Sequence, residues 1–594
     1  MPTAILTGPP VPGSPLADEL RSLGFEVRGA RDHAEAVTAE AAIPEADRVA
    51  LVDSRFVGHT HSLRLGLTDP RFDAAAVPGA LTARAGARPA LRAALAATPD
   101  SAPVDLTAVA AGVETAGARL HRPELGSLVA EVPADAADRA RADAAVAAVD
   151  EERVRLNSAV KARDGFFTTF CISPYSKYVA RWCARRGLTP NQVTTASLLT
   201  ALLAAGCAAT GERLGFVAAG VLLMLSFVLD CADGQLARYA LKYSTLGAWL
   251  DATFDRAKEY SFYAGLALGA ARGGDDVWPL ALGAMVLMTC RHVVDFAFNE
   301  ANHDATGNSS PTAALSDRLD SVGWTVWIRR MIILPIGERW ALIALLTAFT
   351  TPRITFWALL VGCAFGAAYT TAGRVLRSLT RKAARTDRAA RALADLADSG
   401  PIAGLVARFL GRATPGAIGP AAALLGAAAL ISAALLYPFG SRQVLIAALV
   451  YAIFSGAAVA RPLTGSLDWL VPPVLRAAEY TTYLILAVRS ELPGAVPAAF
   501  GLVAAVAYHH YDTVYRIRGD AGAPPRALVF AIGGHEGRVL AVAVLAAVFA
   551  SGGAGFTRAL AVLAGYVALV GLVESIRFWV SAGAPAVHDE GEPA

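Results

Sequence analysis

Twelve apolar segments, most of them close to the roughly 20 residues a helix needs to cross a hydrocarbon core, dominate the chain between residues 193 and 580. They lie near 193–209, 214–230, 245–270, 277–298, 331–349 and 353–374, then near 417–437, 441–460, 467–488, 494–512, 528–550 and 557–580. Inside a bilayer a segment must satisfy its own backbone amides, so stretches of this kind fold as helices. Hydrophobic residues make up 55% of the 594 and charged residues only 17%, against roughly 25% charged in an ordinary soluble domain. The expected fold is mainly α. A polytopic membrane bundle of about six spans fills 151–380, and a second bundle of about six spans fills 413–582, with a basic linker at 381–412 and a polar tail at 583–594.

Charge places these bundles. Lys177, Arg181, Arg185 and Arg186 precede the first span, Arg238 and Lys242 separate the second from the third, and Arg318, Arg329 and Arg330 separate the fourth from the fifth. The densest group, from Arg374 through Arg377, Arg381, Lys382, Arg385 and Arg388 to Arg391, follows the sixth. By the positive-inside tendency this side is cytoplasmic in a multi-pass cell-membrane protein. Residues 151–187, basic and aromatic, read as a helix lying on the membrane surface. A net charge of +3 gives no bias toward nucleic acid, and none is expected as a partner. Six cysteines without metal-ligand spacing argue for neither a disulfide framework nor a zinc site. No basic region followed by an apolar core opens the chain, so no cleavable signal peptide is expected. The richness in Ala, Gly and Arg points to a bacterium with a GC-rich genome.

Residues 1–150 have another rhythm. Short apolar runs, Thr3-Ala4-Ile5-Leu6 and Val49-Ala50-Leu51-Val52, alternate with helix-like stretches at Leu16–Leu23 and Pro89–Ala97. This predicts a small cytoplasmic α/β domain. The loop Gly8-Pro-Pro-Val-Pro-Gly13-Ser14 stands where a phosphate cradle could be, but it has no Lys or Arg and its prolines lack amide donors. It loosely resembles the glycine-rich loop of sugar-nucleotidyltransferases with the basic residue missing, so a degenerate, structural loop is expected.

Four aspartates interrupt the first apolar block. Asp230 and Asp233 stand three apart, Asp251 and Asp255 four apart, and each pair shares a helix face. Carboxylates are costly at membrane depth, and like charges so close need a cation to stay ionised together. Asp230 and Asp233 end an apolar run, where the helix dipole disfavours anions, so a capping role is excluded. Oxygen-only ligands suit Mg2+ or Mn2+. Gly234 leaves room for a phosphate near the backbone, Ala237 keeps that face shallow, Arg238 offers a planar fork for phosphate oxygens, and Gly247 opens a second close approach.

The pattern Asp230-x2-Asp233-Gly234-x2-Ala237-Arg238-x8-Gly247-x3-Asp251-x3-Asp255 resembles the signature of the CDP-alcohol phosphotransferases, with every fixed position filled. The resemblance covers about residues 160–380. It implies that Asp230, Asp233 and Asp251 bind metal, with two Mg2+ or Mn2+ ions held by the four aspartates together. Asp255, also a metal-side residue, is then the general base. Gly234, Ala237, Arg238 and Gly247 would line the CDP site. The implied reaction is attack of an alcohol acceptor on the phosphorus that carries the alcohol moiety of a CDP-alcohol, such as CDP-diacylglycerol, releasing CMP in phospholipid or related phosphodiester biosynthesis. Asn191, in Thr189-Pro190-Asn191-Gln192, is a nucleotide-side candidate, and a helix-start role for Thr189-Pro190 is an equal reading. Lys161-x-x-Asp164-Gly165-Phe166 and the N-terminal domain lean toward relatives that transfer to inositol phosphate.

The second block reads as a worn copy of the first. Trp249-Leu250 and Arg256-Ala-x-Glu259-Tyr260-x-x-Tyr263 are matched by Trp469-Leu470 and Arg476-Ala-x-Glu479-Tyr480-x-x-Tyr483. His292-x-x-Asp295 pairs with His509-x-x-Asp512, Arg339 with Arg538, and Thr189-Pro190 with Thr414-Pro415. Val471 and Leu475 take the places of Asp251 and Asp255, so only one active site is expected. Because His292, Asp295 and Arg339 persist without the aspartates, a structural role is favoured for them. Since members of the family resembled are typically homodimers, the copy is expected to act as an intrachain partner in a pseudo-dimer, the other arrangement being an ordinary homodimer. Two rivals stand beside the enzyme: a buried ion-pair network joining the aspartates to Arg238, Arg256 and Lys258, and a non-catalytic transporter or scaffold built from two bundles.

Overall fold

Burial on both faces of its central strands builds the N-terminal domain. Strands β1 (Thr3–Thr7), β2 (Glu26–Ala30), β3 (Val49–Asp53), β5 (Ala74–Val77), β6 (Ala80–Ala83) and β7 (Leu120–His121) form a mixed sheet in the order β2-β1-β3-β6-β5-β7, while β4 (Val57–Gly58) pairs with β8 (Ala130–Glu131). Ile5 and Leu51 pack into one core and Ala4, Ala50 and Val52 into another. A strand apolar on both faces belongs inside a helix-covered sheet, and this is the expected α/β unit. The Gly8–Ser14 loop turns at two positive-φ glycines, Gly8 at 97° and Gly13 at 74°. Its Pro9 carbonyl accepts from Ser54 Oγ at 2.8 Å, which suits a structural loop. The structure, a computed structural model, describes residues 1–98, 104–161, 164–304, 327, 331, 333–380, 385–411 and 418–581.

The surface helix expected over 151–187 resolves into two. Helix α1 (Glu151–Ser158), capped by Asp150, docks on the membrane domain, and α2 (Ser173–Arg185) follows a π-helical turn at Thr168–Ile172. Exposed Tyr175, Tyr178 and Trp182 line α2, with Arg181 over the Tyr178 ring at 5.1 Å and Arg186 over Trp182 at 5.3 Å. This is the composition of a membrane-surface helix.

The first bundle comprises α3 (Pro190–Ala209), α4 (Arg213–Ala240), α5 (Thr245–Arg272), α6 (Trp278–Asn302), α7 (Ile336–Phe349) and α8 (Pro352–Thr380). After α9 (Asp387–Leu396) and α10 (Pro401–Leu410) come α11 (Gly419–Leu436), α12 (Arg442–Ala458), α13 (Val471–Arg489), α14 (Ala495–Arg518), α15 (Gly534–Val548) and α16 (Gly555–Ser581). Each of the twelve apolar segments meets one of these helices, except that 528–550 is divided between a short helix, Arg526–Ala531, and α15, and that parts of 331–335 and residue 417 lie outside the described residues. Seven stretches among the described residues are long and apolar enough to cross a membrane: α3, α4, α6, α8, α11, Arg526–Val548 and α16. The rest are shorter or, like α5, loaded with internal charge. The expected linker is a correction: its described part holds α9 and α10, with Leu393 and Leu396 fully buried and α10 packed on α12. Arg318, Arg329, Arg330, Arg381, Lys382, Thr414-Pro415 and the tail from 583 lie outside the described residues.

The bundles meet through α6 against α13 and α14, and through α5 against α14 and α16. Aromatic pairs cross the seam, Phe298 with Trp469 at 5.2 Å and Trp249 with Trp579 at 6.1 Å. Inside each bundle one ion-pair pattern recurs. Glu259 accepts from Arg256 at 3.1 Å, Arg339 at 3.2 Å and Tyr263 at 2.8 Å. Glu479 accepts from Arg476 at 2.8 Å, Arg538 at 2.7 Å and Tyr483 at 2.9 Å.

Candidate active site

A tight hairpin brings the acidic pairs face to face. Helix α4 ends at Leu241, which adopts a left-handed φ of 51°, and Lys242 N–H returns to the Ala237 carbonyl at 2.9 Å. Ser244 caps α5 by accepting from Gly247 N–H at 2.9 Å, as a helix start requires. One carboxylate oxygen each from Asp230, Asp233 and Asp251 then lies within 4.8 Å of the others. Asp233 is buried and its Oδ2 has no hydrogen-bond partner among the described residues, whereas Asp251 is exposed and opens the cluster outward. An orphaned buried carboxylate oxygen among three acidic groups fits a hard divalent cation.

Asp255 is outside this trio but lies against Asp230. Its Oδ1 accepts from Lys258 Nζ at 3.2 Å, and the same ammonium donates to Asp230 Oδ1. Lys258 is completely buried. The ion-pair rival is therefore right about Lys258 and wrong about the arginines: Arg256 pairs with Glu259, and Arg238 Nε donates to the Ala159 carbonyl at 2.6 Å. A Cβ placed on Gly234 would touch the Arg238 guanidinium at 3.6 Å, so that fork lies over the glycine. At Gly247 a Cβ would stand 2.8 Å from Asn191 Oδ1; the missing side chain lets Asn191 reach the start of α5. Ala237, half-buried, shares this end of α4. Thr189 forms a complete capping box with Gln192, which establishes the helix-start role beside Asn191.

Sequence reasoning missed two arginine-side features. Arg291 on α6 is buried, donates through Nη2 to the Ile333 carbonyl, and leaves Nε and Nη1 without partners among the described residues. Asp295 is its foremost charged neighbour, with Arg339 and Arg374 also within electrostatic reach. His292 contacts Tyr511 Oη of the second bundle, and Arg256 lies 5.3 Å from that ring. Asp295 pairs with Arg374, while Asp512 accepts from Ser575 and Trp579, in keeping with a structural role. The signal for Lys258 was present: its counterpart is Ala478, although Arg256, Ala257, Glu259 and Tyr260 all have identical counterparts.

An apolar cavity of about 680 Å³ lies between α4 and α7. Val217, Val221 and Met224 form one wall, Leu342 and Leu345 the other, and Phe167 and Glu338 close one end. Helical spacing carries the α4 wall on to Cys231, beside Asp230.

The bundle therefore gathers three carboxylates where two long apolar-flanked helices, α4 and α5, face each other. Residues 187–368 match the family model described as CDP-alcohol phosphatidyltransferase, so the chain carries a domain of that transferase family in a multi-pass membrane protein. Residues 387–594 match a family of unknown function. The chain is 33% identical over 113 residues to the archaetidylinositol phosphate synthase of Pyrococcus horikoshii, covering 19% of this chain and 58% of that one. It is 39% identical over 107 residues to the bifunctional IPC transferase and DIPP synthase of Rubrobacter xylanophilus (18% and 24% covered). A third relative, the phosphatidylinositol phosphate synthase of Streptomyces avermitilis, is 32% identical over 130 residues (21% and 51% covered). The chain thus spans between 24% and 58% of these relatives' own length.

Proposed function

We propose that this chain transfers the substituted phosphate of a CDP-alcohol of the CDP-diacylglycerol type to a hydroxyl of a phosphorylated polyol such as inositol phosphate, releasing CMP on the cytoplasmic side. The observation that carries the reading is the carboxylate trio with the orphaned Asp233 Oδ2, with Asp255 one turn beyond Asp251 on α5. Asp230, Asp233 and Asp251 would hold a divalent ion, which supplies charge neutralisation for the pyrophosphate when bound. Arg238, fixed by Ala159 above Gly234, orients phosphate oxygens. Asp255 accepts the proton of the attacking hydroxyl; the new P–O bond forms as the pyrophosphate P–O bond to CMP breaks. The apolar cavity along α4 gives an acyl chain a place beside the reacting phosphorus. Arg291, with two unpartnered N–H donors, suits an anionic acceptor, as do the inositol phosphate products named for the relatives.

We propose further that the second bundle is a duplicated, non-catalytic partner, so that the chain is an intrachain pseudo-dimer. The matching Glu259 and Glu479 clusters support this, as do Val471 and Leu475, fully buried where the aspartates would stand.

The test is reconstituted protein with radiolabelled CDP-diacylglycerol, Mn2+ and a panel of acceptors. CMP release is expected with inositol phosphate above inositol, glycerol phosphate or serine. Donor binding without CMP release for any polyol would favour a non-catalytic membrane protein.

A further inference from the structure

We propose that Lys258 is a built-in cation of this site, so that the four aspartates hold one divalent ion rather than two. The inference rests on the metal-assisted reading above and concerns how its charge is divided. Two ions bridging one reaction centre stand about 3.5–4 Å apart and share carboxylate ligands between them. The natural second position here lies between Asp230 and Asp255. Lys258 Nζ already sits there, donating to Asp230 Oδ1 and, at 3.2 Å, to Asp255 Oδ1. Magnesium and its like demand near-octahedral oxygen ligands at about 2.0–2.1 Å, and an ammonium hydrogen-bonded to both carboxylates occupies the oxygens that a second ion would need. The first position is free of it: the trio of Asp230, Asp233 and Asp251 excludes Asp255, and its buried Asp233 Oδ2 has no partner.

The ammonium has nowhere else to go. Its side chain is fully buried, and the Trp340 ring, 1% exposed, lies 5.9 Å away. Withdrawal from the carboxylates would leave an unpaired charge in the bundle interior, which a low-dielectric surrounding strongly disfavours. The second bundle supplies an independent comparison. There Arg476, Glu479, Tyr480 and Tyr483 keep the frame of Arg256, Glu259, Tyr260 and Tyr263, with the same hydrogen bonds to the glutamate. Outside that frame, every charged position of the stretch becomes apolar: Asp251 to Val471, Asp255 to Leu475 and Lys258 to Ala478. The lysine disappears together with the carboxylates, so it belongs to their charge and not to the frame.

The experiment counts metal, independently of turnover. Purified full-length protein is dialysed against Mn2+, and bound metal per chain is read by elemental analysis and by the Mn2+ electron paramagnetic resonance spectrum. One Mn2+ per chain, with an uncoupled six-line spectrum, is expected for the wild type, and it should vanish in Asp233→Asn. Lys258→Met, which keeps the stem and removes the charge, should bind two ions and show a dipole-broadened spectrum; Lys258→Arg should still bind one. Two ions in the wild type would overturn the inference and leave the proposed reaction standing. No bound ion in the wild type would overturn it together with the metal-assisted reading. The wild-type count decides the matter even where a variant fails to fold.

Discussion

At the scale of single residues the site divides its carboxylates by what they touch. Asp255 is engaged by Lys258 and stands outside the trio, so Asp255→Asn should leave Mn2+ and CDP binding intact while CMP release falls about 10²–10⁴-fold, the usual worth of a positioned acid–base group. Equilibrium binding beside the CMP assay separates the two effects, and a variant that also lost Mn2+ would make Asp255 a ligand instead. Arg291 offers two unpartnered donors in a buried position. Arg291→Gln is expected to raise the KM for the phosphorylated acceptor about tenfold or more, since a charge-assisted hydrogen bond contributes about 1.5–3 kcal/mol, with little change in the KM for the donor. Steady-state kinetics against each substrate checks this. The aspartates and their glycines were legible in the sequence because their spacing alone sets a shared helix face. Arg291 and Tyr511 were not, because their roles depend on which helices pass beside them, and no local periodicity encodes that.

At the scale of elements, close helix approach shapes the proposed lipid side of the site. A Cβ at Gly220 would stand 2.6 Å from the Ala344 carbonyl, so α4 and α7 touch there, and the cavity runs alongside that contact with both residues in its lining. Met224→Trp, on the cavity wall, should therefore weaken use of a long-chain CDP-diacylglycerol while sparing a short-chain analogue. Competing the two donors in one vesicle assay would reveal it. The N-terminal domain is joined to this hairpin through α1. Arg155 donates to the Tyr239 carbonyl at 2.9 Å, Tyr239 donates to Glu152 at 2.9 Å, and Arg71 lies over the Tyr243 ring at 4.0 Å. Near that contact His61 is buried, and desolvation, with Arg155, Arg64 and His59 adding to it, pushes its pKa down to about 3. A depressed histidine is neutral in the folded domain. Its contribution is fully present above the unfolded value near 6.5 and is lost as pH falls from there toward 3. Cleavage within residues 1–150 by a protease active at both values should be faster at pH 5 than at pH 7, and His61→Leu should flatten the difference. The strands and spans were readable from apolar runs. The division of 151–187 into two helices and the helices inside the expected linker were not, because short amphipathic turns take their structure from what they dock on.

At the scale of the whole molecule, the two bundles share one seam. Helices α5 and α6 are covered by α13, α14 and α16, Tyr511 reaches His292, and Phe298 packs edge-on against Trp469. The second bundle is held by a sealed charge cluster. Asp398 accepts from Arg538 at 2.7 Å and pairs with Arg476 at 2.9 Å and His509 at 3.0 Å, while Glu479 binds the same two arginines, every one of these groups being buried. Removing one member of such a cluster leaves an uncompensated buried charge, at a cost of about 3–5 kcal/mol. Glu479→Ala should accordingly lower the thermal midpoint and the yield of folded protein, although Glu479 stands in the bundle that lacks the aspartates. The pseudo-dimer itself is tested by mass. With the α5–α6 face occupied within the chain, purified protein should elute as a single 61.6 kDa chain once detergent is subtracted by light scattering. A cysteine introduced at Phe298 should fail to cross-link to its copy in a second chain and should instead cross-link to one introduced at Trp469. A two-chain mass, with α6 cross-linked between chains, would mean that the seam opens in the membrane and that the second bundle serves some purpose other than replacing a partner.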